Sequence, residues 1–133
     1  MIVQLNQPLG KWDTESLKFM TSIFANCTNF NQSLNNWNVS KVTNFVSVFL
    51  RCVNFNQDIN SWAVNNVTTM SNMFSSCTAF NQSLNNWNIS NVTDMYLMFN
   101  GCTAFNQPLN TWNVSNVTNM YLMFNGCTLL ANH

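Results

Sequence analysis

The apolar positions of this chain fall into two alternating rhythms. In residues 80–104, Leu84, Trp87 and Ile89 sit in a short stretch that reads as extended. From Val92 onward the apolar residues step by threes, through Val92, Met95 and Met98, then on to Phe99 and Cys102. Steps of three and four mark one face of a helix. The pattern predicts about two turns of α- or 3₁₀-helix ending near Cys102, and Gly101 and Gly126 suit helix ends.

The same block recurs along the chain. Trp12, Trp37, Trp62, Trp87 and Trp112 are each 25 residues apart. Phe24, Phe49, Phe74, Phe99 and Phe124 keep that step, and so do Cys27, Cys52, Cys77, Cys102 and Cys127. The pairs Asn6-Gln7, Asn31-Gln32, Asn56-Gln57, Asn81-Gln82 and Asn106-Gln107 follow the same phase, without insertion. A unit this short cannot bury its own apolar face, but stacked units shield one another. The expectation is one domain over residues 1–133, with units at about 5–29, 30–54, 55–79, 80–104 and 105–129. Its fold class is expected to be an α/β repeat: a leucine-rich-repeat-like solenoid of five coils, each a short strand plus a short helix. Parallel strands spaced about 4.8 Å apart make this a rod roughly 25 Å long.

Composition narrows the function classes. Charged residues are 6% of the chain and the formal net charge is zero, while hydrophobic residues are 47%. No basic stripe exists to neutralise phosphates, so no nucleic-acid partner is expected. No apolar run approaches the roughly 18 residues of a spanning helix, so no direct membrane insertion is expected. The opening residues carry no charged segment followed by a long apolar one, so no signal peptide is read in this chain. Solubility must rest on neutral polar groups, chiefly the 27 asparagines.

Candidate chemistry is sparse. The four acids Asp13, Glu15, Asp58 and Asp94 do not form a paired set, and His133 is the sole histidine. A Ser-His-Asp or Cys-His arrangement lacks its parts, so no enzyme and no catalytic residue is expected. The cysteines come singly, without Cys-x-x-Cys spacing, so no metal and no cofactor is expected either. They read as buried reduced thiols, although neighbouring coils could in principle bridge them and an odd number leaves one free. The Trp, Phe, Cys and Met columns read as core. The Asn-Gln columns read as an amide ladder that satisfies turn backbone in each coil.

Copies such as residues 30–45, with their Phe-Asn-Gln, Trp, Val-Thr and following aromatic positions, resemble the BspA-like surface-protein repeat, the DUF285 repeat of bacterial lipoproteins and surface proteins. The resemblance runs from Leu5 to about Leu130. It implies a leucine-rich-repeat-like architecture and an adhesion or protein-binding role at a cell surface or in secreted form, with a virion or cytoplasmic setting as the alternative. The chain departs from the family in one column: where Trp-Asp-Val is usual, Asp13 alone remains, and Asn38, Ala63, Asn88 and Asn113 take the place of its equivalents.

Columns that vary between copies are where specificity could reside. After the Met column stand Thr21-Ser22, Val46-Ser47, Ser71-Asn72, Tyr96-Leu97 and Tyr121-Leu122. Tyr96, Leu97, Tyr121 and Leu122 are therefore the candidate binding residues, forming an exposed aromatic patch on the last two coils. The expected function is a non-enzymatic protein-binding or adhesion-type module, with a host surface or matrix protein as partner. The alternative is a structural or assembly protein, such as a capsid or surface-layer component, that self-associates through its ends. Thr128-Leu129-Leu130-Ala131 makes the C-terminal end the less polar one.

Overall fold

A computed structural model of the chain describes residues 9–10 and 12–132, without the side chains of the last two. Asn6-Gln7, Lys11, His133 and the start of the first unit lie outside the described residues. Successive repeats lie one upon the next. Phe24, Phe49, Phe74, Phe99 and Phe124 form a single stack of rings with centroids 5.7, 5.6, 5.5 and 5.6 Å apart. A second stack runs beside it through Phe30, Phe55, Phe80 and Phe105, at 5.7, 5.9 and 6.1 Å. Offset stacking places electron-poor ring edges near electron-rich faces and adds to the gain from burial. Leu, Trp, Val, Met and Cys columns complete a continuous core.

The strand-plus-helix expectation is overturned. Among the described residues there is no α-helix and no β-strand. The one helix is the 3₁₀ segment Thr128–Asn132, and the only β features are isolated parallel bridges, Asn44 to Thr69, Thr69 to Asp94 and Asp94 to Asn119. The protein is therefore not an α/β solenoid of strand-and-helix coils.

The physical reason lies in where the backbone bonds go. In the segment expected to be helical, the N–H groups of Met95, Leu97, Phe99 and Gly101 donate forward to the carbonyls of Asn119, Tyr121, Met123 and Asn125, at 2.7–3.0 Å. The N–H groups of Met98, Asn100 and Cys102 donate three residues back, to Met95, Leu97 and Phe99. Alternate donors thus serve the next repeat and a local turn, and none remains for the four-residue ladder of an α-helix. Left-handed backbone recurs at Leu97 (φ 54°) and Gly101 (φ 77°), which a right-handed helix cannot contain. Linked turns, each advancing the chain by about three residues, give the same apolar spacing as a helix.

The stretch expected to be extended is also built of turns. Trp87 N–H donates to Leu84 O at 3.1 Å and Val92 N–H to Ile89 O at 2.9 Å. Repeats are joined here largely by side chains. The Trp37, Trp62, Trp87 and Trp112 indole N–H groups each donate to a carbonyl 28 residues earlier, on Leu9, Leu34, Ile59 and Leu84. Asn56 Oδ1 accepts the Asn81 N–H at 2.9 Å and the Gln82 amide at 3.1 Å, while Gln82 also reaches Asn56 O. The same set recurs one repeat earlier on Asn31 and one later on Asn81. A second column, Asn66, Asn91 and Asn116, donates to the carbonyls of Ser40, Asn65 and Ser90.

Candidate functional site

The left-handed turn that ends the Met column decides where the candidate residues stand. Asp94 Oδ1 accepts the Tyr96 N–H at 2.9 Å, and Asn119 Oδ1 accepts that of Tyr121 at 3.1 Å. These side-chain turns set the entry to the loop. The Tyr96 and Tyr121 rings stack at 5.9 Å, with an interplanar angle of 10°. Tyr121 is 62% exposed and Leu122 44%, whereas Tyr96 and Leu97 are partly buried. The four residues thus form one aromatic-aliphatic ladder along the side of the stack, accessible mainly at its last step.

A larger apolar surface lies at the C-terminal end. Val114, Met120 and Phe124 are 41%, 43% and 37% exposed, while their counterparts one repeat earlier, Ile89, Met95 and Phe99, are 1% exposed or less. The residues are of the same type; what differs is that no described repeat packs over them. Met95, Leu109, Trp112, Val114, Met120, Met123 and Phe124 line a recess there, of ≈ 180 Å³. A groove of ≈ 470 Å³ adjoins it, bounded by Gln107, Pro108, Leu109, Asn110, Phe124 and Leu130. Sequence reading placed the Met and Phe columns in the core and did not single out their last members.

The cysteines form an internal ladder. The thiols of Cys52, Cys77, Cys102 and Cys127 donate to the carbonyls of Phe24, Phe49, Phe74 and Phe99 at 2.9–3.0 Å. All five cysteines are buried and unbridged. Burial pushes the Cys52 thiol up to about 12, with the neighbouring Cys27 adding to the shift and a backbone hydrogen bond opposing it. Burial likewise raises Cys77, Cys102 and Cys127. A thiol held protonated is a poor nucleophile and a poor metal ligand. Among the described residues no group of three or more His, Cys, Asp or Glu side chains is placed to hold a metal ion. No helix there is long and apolar enough to cross a membrane.

These features define a protein built of stacked 25-residue repeats joined by turn backbone and side-chain amides. The family model described as "Mycoplasma protein of unknown function, DUF285" matches residues 1–99 and 63–133, two overlapping segments that together span the chain. The chain belongs to this BspA-like repeat family. No curated protein and no solved structure matches it.

Proposed function

We propose that this chain is a non-enzymatic protein-binding module of the adhesion type, acting on a host surface or matrix protein. The observation that carries the reading is the Tyr96–Tyr121 ladder, flanked by Leu97 and Leu122 and most open at Tyr121. Stacked aromatic rings present a rigid, amphipathic surface at low entropic cost, the kind that dominates protein interfaces. The near absence of charge leaves recognition to shape and apolar area.

The test is retention of purified matrix and cell-surface proteins on immobilised chain. Retention by the wild type that is lost in Tyr121→Ser/Leu122→Ser, with the circular dichroism spectrum unchanged, supports the reading. No retention, or retention indifferent to the double substitution, overturns it. A second reading, self-association through the ends of the stack, is favoured by the exposed core residues Val114, Met120 and Phe124.

A further inference from the structure

Asparagine followed by glycine is a reactive dipeptide. The side-chain amide carbon lies within reach of the next backbone nitrogen, and glycine has no Cβ to keep the two apart. Among the 27 asparagines this pair occurs twice, at Asn100-Gly101 and Asn125-Gly126, one repeat apart. Both pairs form the middle of a turn, which the Cys102 N–H closes on Phe99 O and the Cys127 N–H on Phe124 O, each at 3.0 Å. Both glycines are left-handed, with φ 77° and 80°. Sequence and local backbone therefore give the two pairs equal chemistry.

Their surroundings are unequal. The Gly101 N–H donates to Asn125 O at 2.7 Å, and Asn100 Oδ1 accepts the Asn125 side-chain amide at 2.8 Å. Both members of the Asn100-Gly101 pair are thus held by the following repeat, and both are half-buried. Gly101 also packs between Ser76 and Gly126: a Cβ added to Gly101 would meet Ser76 Oγ at 3.5 Å, and one added to Gly126 would meet Gly101 Cα at 3.3 Å. The Gly126 N–H has no acceptor among the described residues, and Asn125 and Gly126 are both exposed. A backbone N–H held in a hydrogen bond must break it before base can take the proton. Gly101 carries that cost and Gly126 does not.

We propose that Asn125 is a site of spontaneous deamidation, and that its reaction unlocks Asn100 as the second site. Base removes the Gly126 N–H proton and the nitrogen attacks Asn125 Cγ. A C–N bond forms, the Cγ–Nδ2 bond breaks, and the leaving nitrogen takes up a proton as ammonia. Water then opens the cyclic imide at one carbonyl or the other, giving aspartate or isoaspartate. In sum, an amide and a water become a carboxylic acid and ammonia, with no change of oxidation state. The aspartate product cannot donate to Asn100 Oδ1, so that bond is replaced by facing oxygens. The isoaspartate product adds a methylene to the backbone and carries the group that accepted the Gly101 N–H out of register. Asn100-Gly101 then meets the conditions that made Asn125 reactive. The sequence of events stops there, because the preceding repeat has Ser75-Ser76 at these positions and no side-chain amide.

The test is incubation of the chain in mildly alkaline buffer, folded and in urea, with peptide mapping by mass spectrometry over time. In urea the two pairs are expected to react at similar rates, since residues 98–103 and 123–128 are identical. In the folded chain Asn125 is expected to react about tenfold faster than Asn100, the ratio that one backbone hydrogen bond supplies. Asn100 is expected to convert after a lag, in chains already converted at Asn125. The longer side chain of Asn125→Gln closes the corresponding ring poorly, so this variant is expected to keep Asn100 intact while the wild type loses it. Circular dichroism checks its fold, and Asn125→Ser serves if it does not fold. Equal rates in the folded chain, or Asn100 reacting first, overturn the proposal. So does a folded Asn125 that stays intact while the chain in urea reacts. Asn100 converting as fast in Asn125→Gln as in the wild type overturns the second step and leaves the first standing.

Discussion

Asn56 Oδ1 accepts the backbone N–H of Asn81 from the following repeat at 2.9 Å. The same oxygen takes the Gln82 amide at 3.1 Å, so one carbonyl closes two bonds between repeats. Among the described residues the N–H of Asn81 has no backbone partner, and this side chain stands where a sheet ladder would otherwise supply one.

Removing that oxygen should be costly. Asn56→Ala orphans a partly buried N–H and an amide, and is expected to destabilise by about 1–3 kcal/mol. Asn56→Asp keeps the acceptor and should cost less. Urea unfolding of the two variants checks this. Equal losses would mean that the amide oxygen is not the stabilising group.

The left-handed column offers a gain. Ser76 has φ 62° where Gly101 and Gly126, at the same position of later repeats, have φ 77° and 80°. Left-handed backbone costs an ordinary residue roughly 1–2 kcal/mol, partly offset by the extra freedom glycine has when unfolded. Ser76→Gly is expected to stabilise by about 0.5–1 kcal/mol. Gly101→Ala should destabilise by a similar or larger amount. An added Cβ there meets Ser76 Oγ at 3.5 Å, an ordinary contact, so the loss comes from the backbone conformation. Thermal melts measure both.

Core depth should grade along the stack. Phe74 is fully buried between Phe49 and Phe99, and Phe74→Ala should cost about 3–5 kcal/mol. Phe124 packs on Phe99 from one side only and is 37% exposed, so Phe124→Ala should cost clearly less. Chemical denaturation of monomeric protein gives both values. A Phe124→Ala loss as large as that of Phe74→Ala would show that the last repeat is covered.

The thiol ladder predicts a pH dependence. An acid whose folded pKa lies above its unfolded one binds more protons folded than unfolded, so stability falls as pH rises between the two values. For Cys52 that window runs from the ordinary 9.0 to about 12. Stability contributed by the thiols is full below about pH 9 and then falls, by at most about 1.4 kcal/mol per pH unit per thiol. Urea midpoints taken through this range should decline less steeply in Cys52→Ala. Native alkylation should be slow throughout, with Cys127 at the open end reacting first.

Much of the architecture was written in the spacing of a few residue types. The 25-residue recurrence of Trp, Phe and Cys told of stacked repeats, and those columns form the core except for their end members Trp12 and Phe124. The Asn-Gln pairs told of an amide ladder, which is present from Asn31 to Gln107. Tyr96 and Tyr121 were legible as a variable column, and they stack at 5.9 Å; the outward direction was inferred from a helix that is not there, and Tyr96 is partly buried. All of these follow from identity and period, because a repeat places equal residues in equal environments.

Backbone conformation was not legible in the same way. Val92, Met95 and Met98 are spaced as a helix would space them, yet their segment is a chain of turns with left-handed backbone at Leu97 and Gly101. Apolar period reports which side chains point inward. It does not report whether an N–H finds its acceptor four residues back or one repeat ahead. That choice was made between repeats, where Leu97 meets Tyr121 and Phe99 meets Met123. Only the tertiary structure could decide it. The same holds for the C-terminal face: Met120 and Phe124 match the buried Met95 and Phe99 in type, and their exposure is set by what packs over them, which no residue type encodes.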